Sequence, residues 1–141
     1  MRRIVIGVGN QSRGDDGAGL EVAKRVRTRG SYQMAGGSYQ MIDVWEGAED
    51  VVVVDAARSG SMAGTVHRFE AHAEPLPGGV LATSTHSIGV VDAIEMARSL
   101  GRLPERLVVY GIEIEDVTPG SGLTPRVERA VDQVVREIDG A

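Results

Sequence analysis

Apolar residues occur along this chain in two patterns. Three runs are almost continuously apolar, as expected for strands covered on both faces of a sheet, and they span residues 4–8, 51–54 and 107–112. Other stretches carry apolar residues at helical spacing and predict helices at residues 17–27, 38–46, 87–100 and from Pro125 onwards. The stripe predicted to face the core in the third helix consists of Val90, Val91, Ile94, Ala97 and Leu100.

Two further strands complete the expected sheet. Residues 31–34 predict a short strand, and residues 65–71 alternate between apolar and polar side chains, which predicts another. Only nine residues separate Asp55 from Thr65, and because a parallel crossover needs about a dozen or more, this strand should run antiparallel. The prediction is a single α/β domain over residues 1–141, a three-layer α/β/α sandwich whose mostly parallel central sheet includes one antiparallel strand.

Composition narrows the class of partner. The 141 residues carry a net charge of −5 and no run of Lys or Arg, which argues against nucleic acid. The chain has no cysteine, so disulfides, thiolate metal sites and cysteine catalysis are excluded. The apolar stretch near Met1 is too short for a signal-peptide core, and no run reaches membrane length. We therefore expect a cytoplasmic protein that binds neither nucleic acid nor membrane.

The turn after the first strand combines glycines with two carboxylates. Gly7 and Gly9 match the first two glycines of a dinucleotide-binding turn, but Ser12 occupies the third glycine position. Asp15 and Asp16 follow, where a helix N-terminus would otherwise receive a phosphate, and their charges would repel it. The turn is therefore interpreted as a site for a cation or a cationic partner.

The candidate site lies at the carboxyl edge of the predicted sheet, where ligands bind in open α/β folds. Asp16 follows the first strand, Asp55 ends the 51–54 run, and His86 directly precedes a helix. Two carboxylates and an imidazole suit a borderline divalent ion such as nickel, zinc or iron. Plainer interpretations also exist: Asp15 and Asp16 could cap the helix, Asp55 could accept hydrogen bonds from backbone amides, and His86 could be a cap or a surface residue.

A set of short motifs runs along nearly the whole chain. In chain order the motifs are Gly7-Val8-Gly9-Asn10 with Asp15-Asp16-Gly17, Asp55-Ala56, Gly64-Thr65-Val66, Ser84-Thr85-His86, Val109-Tyr110-Gly111-Ile112-Glu113 and Gly122-Leu123-Thr124-Pro125. The ordered set is more specific than any one motif, and it resembles that of a known family, the hydrogenase maturation proteases. The resemblance implies an endopeptidase that removes a short C-terminal extension from the large-subunit precursor of [NiFe] hydrogenase after nickel insertion.

The resemblance also implies roles for individual residues. The metal contacts of the family match Asp16, Asp55 and His86, and the nickel belongs to the precursor, so we expect no tightly bound cofactor and a monomeric protease. Asp16 stands where the family often has Glu, and Ala35 stands where some members carry an acidic residue before two glycines. Nickel could polarise the scissile carbonyl, or a catalytic carboxylate, Asp16 or Asp55, could activate water.

Two other functions remain open on the sequence alone. One is a metal-dependent hydrolase that holds its own ion at the same three residues. The other is a module that recognises the nickel-loaded precursor without cutting it.

Overall fold

The computed structural model describes residues 2–35, 39–81 and 89–141, and these residues form a sheet with helices on both faces. The strands are β1 (Arg3–Gly9), β2 (Ser31–Ala35), β3 (Asp50–Ala57), β4 (Val66–Glu70) and β5 (Arg106–Glu113). The helices are a short 3-10 turn (Gly14–Gly17), α1 (Ala18–Arg25), α2 (Gln40–Trp45), α3 (Val90–Ser99) and α4 (Pro125–Asp139).

The sheet has the strand order β2-β1-β3-β5-β4. β1, β2, β3 and β5 pair in parallel, and β4 pairs antiparallel with β5. The antiparallel direction predicted from the short connection is therefore confirmed. The apolar run 51–54 lies in β3 at the centre of the sheet, where every residue of the run is buried, as a strand covered on both faces requires.

Two apolar layers hold the helices on the sheet. α2 and α3 pack against one face through Met41, Trp45 and Ile94, which are at most 2% exposed. α1 and α4 pack against the other face through a second buried cluster. The three-layer α/β/α prediction is thus confirmed. Within the part of the chain that the structure describes, no helix is both long and apolar enough to span a membrane.

The starts of two helices differ from the predictions for reasons that the backbone shows. α1 begins at Ala18, because the preceding Gly14–Gly17 segment forms a 3-10 turn instead. α3 begins at Val90, since Gly89 has an extended backbone, while residues 87 and 88 lie outside the described ranges. Leu100 was predicted to face the core, but it follows the last residue of α3 and is 56% exposed.

Glycines allow α1 to approach the sheet closely. A Cβ atom on Gly7 would lie 2.0 Å from the carbonyl oxygen of Gly19, and one on Gly19 would lie 2.4 Å from that of Val54. Gly7 therefore serves helix-to-sheet packing. This contact fixes the start of α1, and with it the acidic turn, against the carboxyl ends of β1 and β3.

Candidate active site

Asp16 lies in the 3-10 turn that follows β1. The turn folds back onto the strand end, since the amide of Asn10 donates to the carbonyl of Asp16 at 3.0 Å. A Cβ atom on Gly9 would lie 2.1 Å from that same carbonyl oxygen, so only glycine fits there. The Gly9 position thus brings a carboxylate close to the sheet edge instead of making room for a pyrophosphate.

Asp15 has a different role from the predicted helix cap. Neither the 3-10 turn nor α1 has a side-chain cap hydrogen bond, so the capping interpretation of Asp15 and Asp16 is wrong. The buried Asp15 carboxylate accepts hydrogen bonds from the amides of Glu115, Asp116 and Thr124 at 3.1, 3.0 and 2.7 Å, and from the Thr124 hydroxyl. Asp15 therefore holds the segment after β5 and the start of α4 against the acidic turn.

Asp55 is the sixth residue of β3 and is only 6% exposed. Its Oδ1 accepts a hydrogen bond from the amide of Ala56 at 2.8 Å, as the plainer interpretation predicted. Burial raises the pKa of the Asp55 carboxyl to about 8, the hydrogen bond from Ala56 opposes this, and the charge of Asp16 raises it further. At neutral pH the buried group therefore carries its proton in the native protein.

The structure brings Asp16 and Asp55 together at the carboxyl edge of β1 and β3. Burial also raises the pKa of half-buried Asp16, while the nearby charges of Arg13 and Arg58 lower it. Two neighbouring carboxyls with unequal environments form a pair in which one group can hold a proton and the other a charge. Such a pair can act as general acid and general base.

His86, the third predicted site residue, lies outside the described residues. Within residues 2–35, 39–81 and 89–141, no three His, Asp or Glu side chains form a group that could hold a metal ion. The other histidines have structural contacts: the amide of Leu107 donates to His72 Nδ1 at 3.0 Å, and His67 Nε2 lies 3.4 Å from Glu113 Oε1. The described part of the site is thus the carboxyl pair.

Glu113 is a buried carboxylate at the same edge whose role the sequence analysis missed. It ends β5 and pairs with Ala57 of β3. Burial by itself would raise the pKa of Glu113, but hydrogen bonds from Ser59, His67 and Ser61 bring it below the usual value. One signal was available: an acidic residue ends the apolar run 107–112, as Asp55 ends the run 51–54.

A separate cavity of about 360 Å³ lies at the opposite end of the sheet, between the first residues of β1 and β5 and the end of α4. Arg3 and Arg106 line it, and both guanidinium groups lie near the carboxylate of Asp50, at 3.3 and 3.6 Å. Asp50 forms an ion pair with each of them, and neither Asp16 nor Asp55 lines the cavity. The carboxyl edge therefore remains the candidate active site.

This chain is similar to known proteins of one family. A family model described as hydrogenase maturation protease matches residues 34–141. The hydrogenase expression/formation protein HupD of Bradyrhizobium diazoefficiens is 30% identical, over 98% of this chain and 74% of its own. The hydrogenase 2 maturation protease of Escherichia coli is 26% identical, over 98% of this chain and 88% of its own. The chain belongs to the hydrogenase maturation protease family.

Solved structures show the same fold. The hydrogenase maturating endopeptidase HybD from Escherichia coli superposes with a TM-score of 0.77 at 21% identity, covering 98% of this chain and 90% of its own. The [NiFe] hydrogenase maturation protease HybD from Thermococcus kodakarensis gives 0.78 at 23% identity, covering 99% and 98%. From the family assignment, the protein is a peptidase of hydrogenase maturation.

Proposed function

We propose that this protein is the endopeptidase that removes the C-terminal extension of a [NiFe] hydrogenase large-subunit precursor once nickel has been inserted. The observation that carries this proposal is the carboxyl pair of Asp16 and Asp55 at the carboxyl edge of the sheet. One relative is a hydrogenase 2 maturation protease, which supports the same class of substrate. The protein acts in the cytoplasm as a monomer, with the precursor as its partner.

The pair supports an acid–base division of labour in the free enzyme. Asp55, with a pKa raised by burial to about 8, holds a proton that it can donate to the leaving amide nitrogen. Asp16 is less buried and lies near Arg13 and Arg58, so its ionised form can accept a proton from the attacking water. A buried carboxyl beside a negative charge keeps its proton. Asp55 can therefore act as the acid and Asp16 as the base without a prior proton transfer between them.

Nickel enters this scheme as part of the substrate. Carboxylate and imidazole groups are acceptable ligands for Ni²⁺, and Asp16, Asp55 and His86 are the residues that would contact the precursor's ion. The protein then needs no resident metal. Contact with nickel would favour the ionised form of Asp55 and could replace acid–base catalysis by polarisation of the scissile carbonyl.

The test is cleavage of the precursor by the purified protein, with and without nickel, measured as tail release by mass spectrometry. Asp16→Asn, Asp55→Asn and His86→Ala should each lose tail release, whereas the exposed carboxylate variant Asp43→Asn should cut normally. Release from nickel-free precursor at the full rate would contradict the role of nickel. Stoichiometric metal in the purified protein would instead favour a hydrolase with its own ion.

A further inference from the structure

The connection between β3 and β4 carries the most exposed large apolar side chain of the described residues. Residues 58–65, here called the β3–β4 loop, begin three positions after Asp55. Met62 is 70% exposed, and Arg58, Ser59 and Ser61 around it are exposed as well. A single exposed apolar residue is ordinary on a protein surface, so its meaning depends on how the loop is held.

The loop is held by the side chain of Glu113. The amides of Ser59 and Ser61 donate to this carboxylate at 2.9 and 3.2 Å, and the Ser59 hydroxyl donates to it as well. Glu113 is 2% exposed, so its negative charge lies under the loop, where these donors and His67 are its contacts among the residues that the structure describes. Charge-assisted bonds of this kind are stronger than neutral ones.

Backbone contacts fix the far end of the loop. The amide of Gly64 donates to the carbonyl of Glu113 at 2.8 Å, and the amide of Glu113 donates to the carbonyl of Thr65 at 2.9 Å. The carbonyl of Met62 accepts from both the amide and the hydroxyl of Thr65, at 3.0 and 2.6 Å. Gly64 has φ +87°, which only glycine adopts readily. The backbone that carries Met62 is therefore ordered while its side chain stays in solvent.

An ordered loop with an exposed methionine is suited to binding another protein. The conformational entropy that a flexible loop would lose on binding has already been lost on folding. Methionine packs adaptably against apolar surfaces, and it is over-represented at protein-binding surfaces. The loop also borders the carboxyl pair, since Arg58 acts on Asp16 through its charge.

We propose that the β3–β4 loop is a preorganised docking element for the hydrogenase large-subunit precursor, with Met62 as its apolar contact and Glu113 as the positioning residue that holds it. The partner follows from the proposed function and from position, since the loop begins three residues after Asp55 and the charge of Arg58 acts on Asp16. The matching precursor surface has an apolar pocket for Met62 and an acidic or carbonyl-rich rim for Arg58. Glu113 acts through Ser59 and Ser61 and does not itself touch the precursor.

The test compares precursor binding with turnover. Met62→Ala should raise the KM and the Kd for nickel-loaded precursor about tenfold, which corresponds to about 1.4 kcal/mol, and should leave kcat unchanged. Leu100→Ala is the matched control, because Leu100 is 56% exposed at the end of α3, and it should bind like the wild type. Unchanged KM and Kd in Met62→Ala would overturn the proposal.

The positioning role of Glu113 is tested by a double-mutant cycle. Glu113→Gln should raise KM several-fold, because the loop is no longer held in its docking geometry. Adding Met62→Ala to this variant should then raise KM by a smaller factor than Met62→Ala does in the wild type. If Glu113→Gln does not fold, Ser59→Ala replaces it, since this variant removes one hydroxyl donor and keeps the backbone bonds. Strictly additive effects would contradict the role of Glu113.

Failure of the proposed function has a different signature. If the wild type binds precursor but releases no tail, the endopeptidase proposal fails, and the Kd values of Met62→Ala and Leu100→Ala still decide the docking inference. If tail release is normal and Met62→Ala binds like the wild type, the docking inference alone fails.

Discussion

Asp55 and Glu113 are buried carboxyls at the same edge of the sheet, on the neighbouring strands β3 and β5, and their environments differ. Among the described residues, the carboxylate of Asp55 has one hydrogen-bond donor, the amide of Ala56, and its pKa is raised by burial to about 8. The carboxylate of Glu113 accepts bonds from Ser59 and Ser61, and these bonds outweigh burial and lower its pKa. Both residues are almost inaccessible to solvent, at 6% and 2% exposed, and Glu113 has more hydrogen-bond donors than Asp55 among the described residues.

In the proposed function, this difference separates the reactive carboxyl, Asp55, from a structural one, Glu113. A carboxylate surrounded by donors is stable in its charged form and fixes the segments that supply them, as Glu113 does for the β3–β4 loop and Asp15 does for Thr124. A carboxyl with few donors and a neighbouring carboxylate keeps its proton at neutral pH and can give it up during a reaction. The candidate active site is therefore marked by Asp55 and not by the most strongly bonded acid.

The largest expected effect is a loss of activity when Asp55, the carboxyl with few hydrogen-bond donors, is replaced. Asp55→Asn should lower the single-turnover rate of tail release by about 10²–10⁴-fold, the usual contribution of a general acid, and should leave the protein folded. Near-wild-type release by a folded Asp55→Asn protein would place the reactive group elsewhere.

The strongly bonded acids should affect stability instead. Asp15→Ala should lower the free energy of unfolding by roughly 1–3 kcal/mol, because the amides of Glu115, Asp116 and Thr124 would lose their acceptor. Urea unfolding measures this loss, with the exposed Asp43→Ala as the control. If Asp15→Ala costs no more than Asp43→Ala, then Asp15 does not hold these segments together.

The pH dependence of stability should sharpen the comparison. Because the pKa of Asp55 is raised in the folded state, the native protein binds one more proton than the unfolded chain between about pH 4 and pH 8. Its contribution to the free energy of unfolding is therefore fully present below about pH 4 and falls by about 1.4 kcal/mol per pH unit as the pH rises towards 8. Asp55→Asn should accordingly gain stability relative to the wild type across this range. A constant difference between the two proteins would mean that Asp55 titrates normally.

A smaller effect is expected from a single donor to Asp15. Thr124→Val removes the hydroxyl that lies 3.0 Å from the Asp15 carboxylate and keeps the backbone amide at 2.7 Å. The free energy of unfolding should fall by about 1 kcal/mol, measured in urea, while Thr124→Ser should stay close to the wild type. A loss in Thr124→Ser equal to that in Thr124→Val would assign the effect to the methyl group.

Much of the fold could be predicted because buried strands and helices have recognisable patterns of apolar residues in the sequence. Continuous apolar runs marked β1, β3 and β5, and the length of one connection was enough to predict the antiparallel direction of β4. Helix ends were less predictable, since the 3-10 turn before Ala18 depends on contacts with the strand end.

The site was only partly predictable for a similar reason. The position of Asp16 and Asp55 at one edge was predictable because parallel strands bring their carboxyl ends together. Asp15 was misinterpreted, because its donors lie about a hundred positions away in the segment after β5. Glu113 was missed, because its partners are mainly backbone amides of the β3–β4 loop, which no residue pattern identifies. His86 lies outside the described residues, so its role stays a prediction.

The most direct test of the central claim is a carboxyl-carbon NMR titration of Asp55. The midpoint should lie near 8 in the wild type and should move down in Asp16→Asn, because the charge of Asp16 is one of the causes of the shift. Glu113 in the same spectra should titrate below the usual range for glutamate. A midpoint for Asp55 near 4, unchanged in Asp16→Asn, would contradict the assignment of these two residues as a coupled reactive pair.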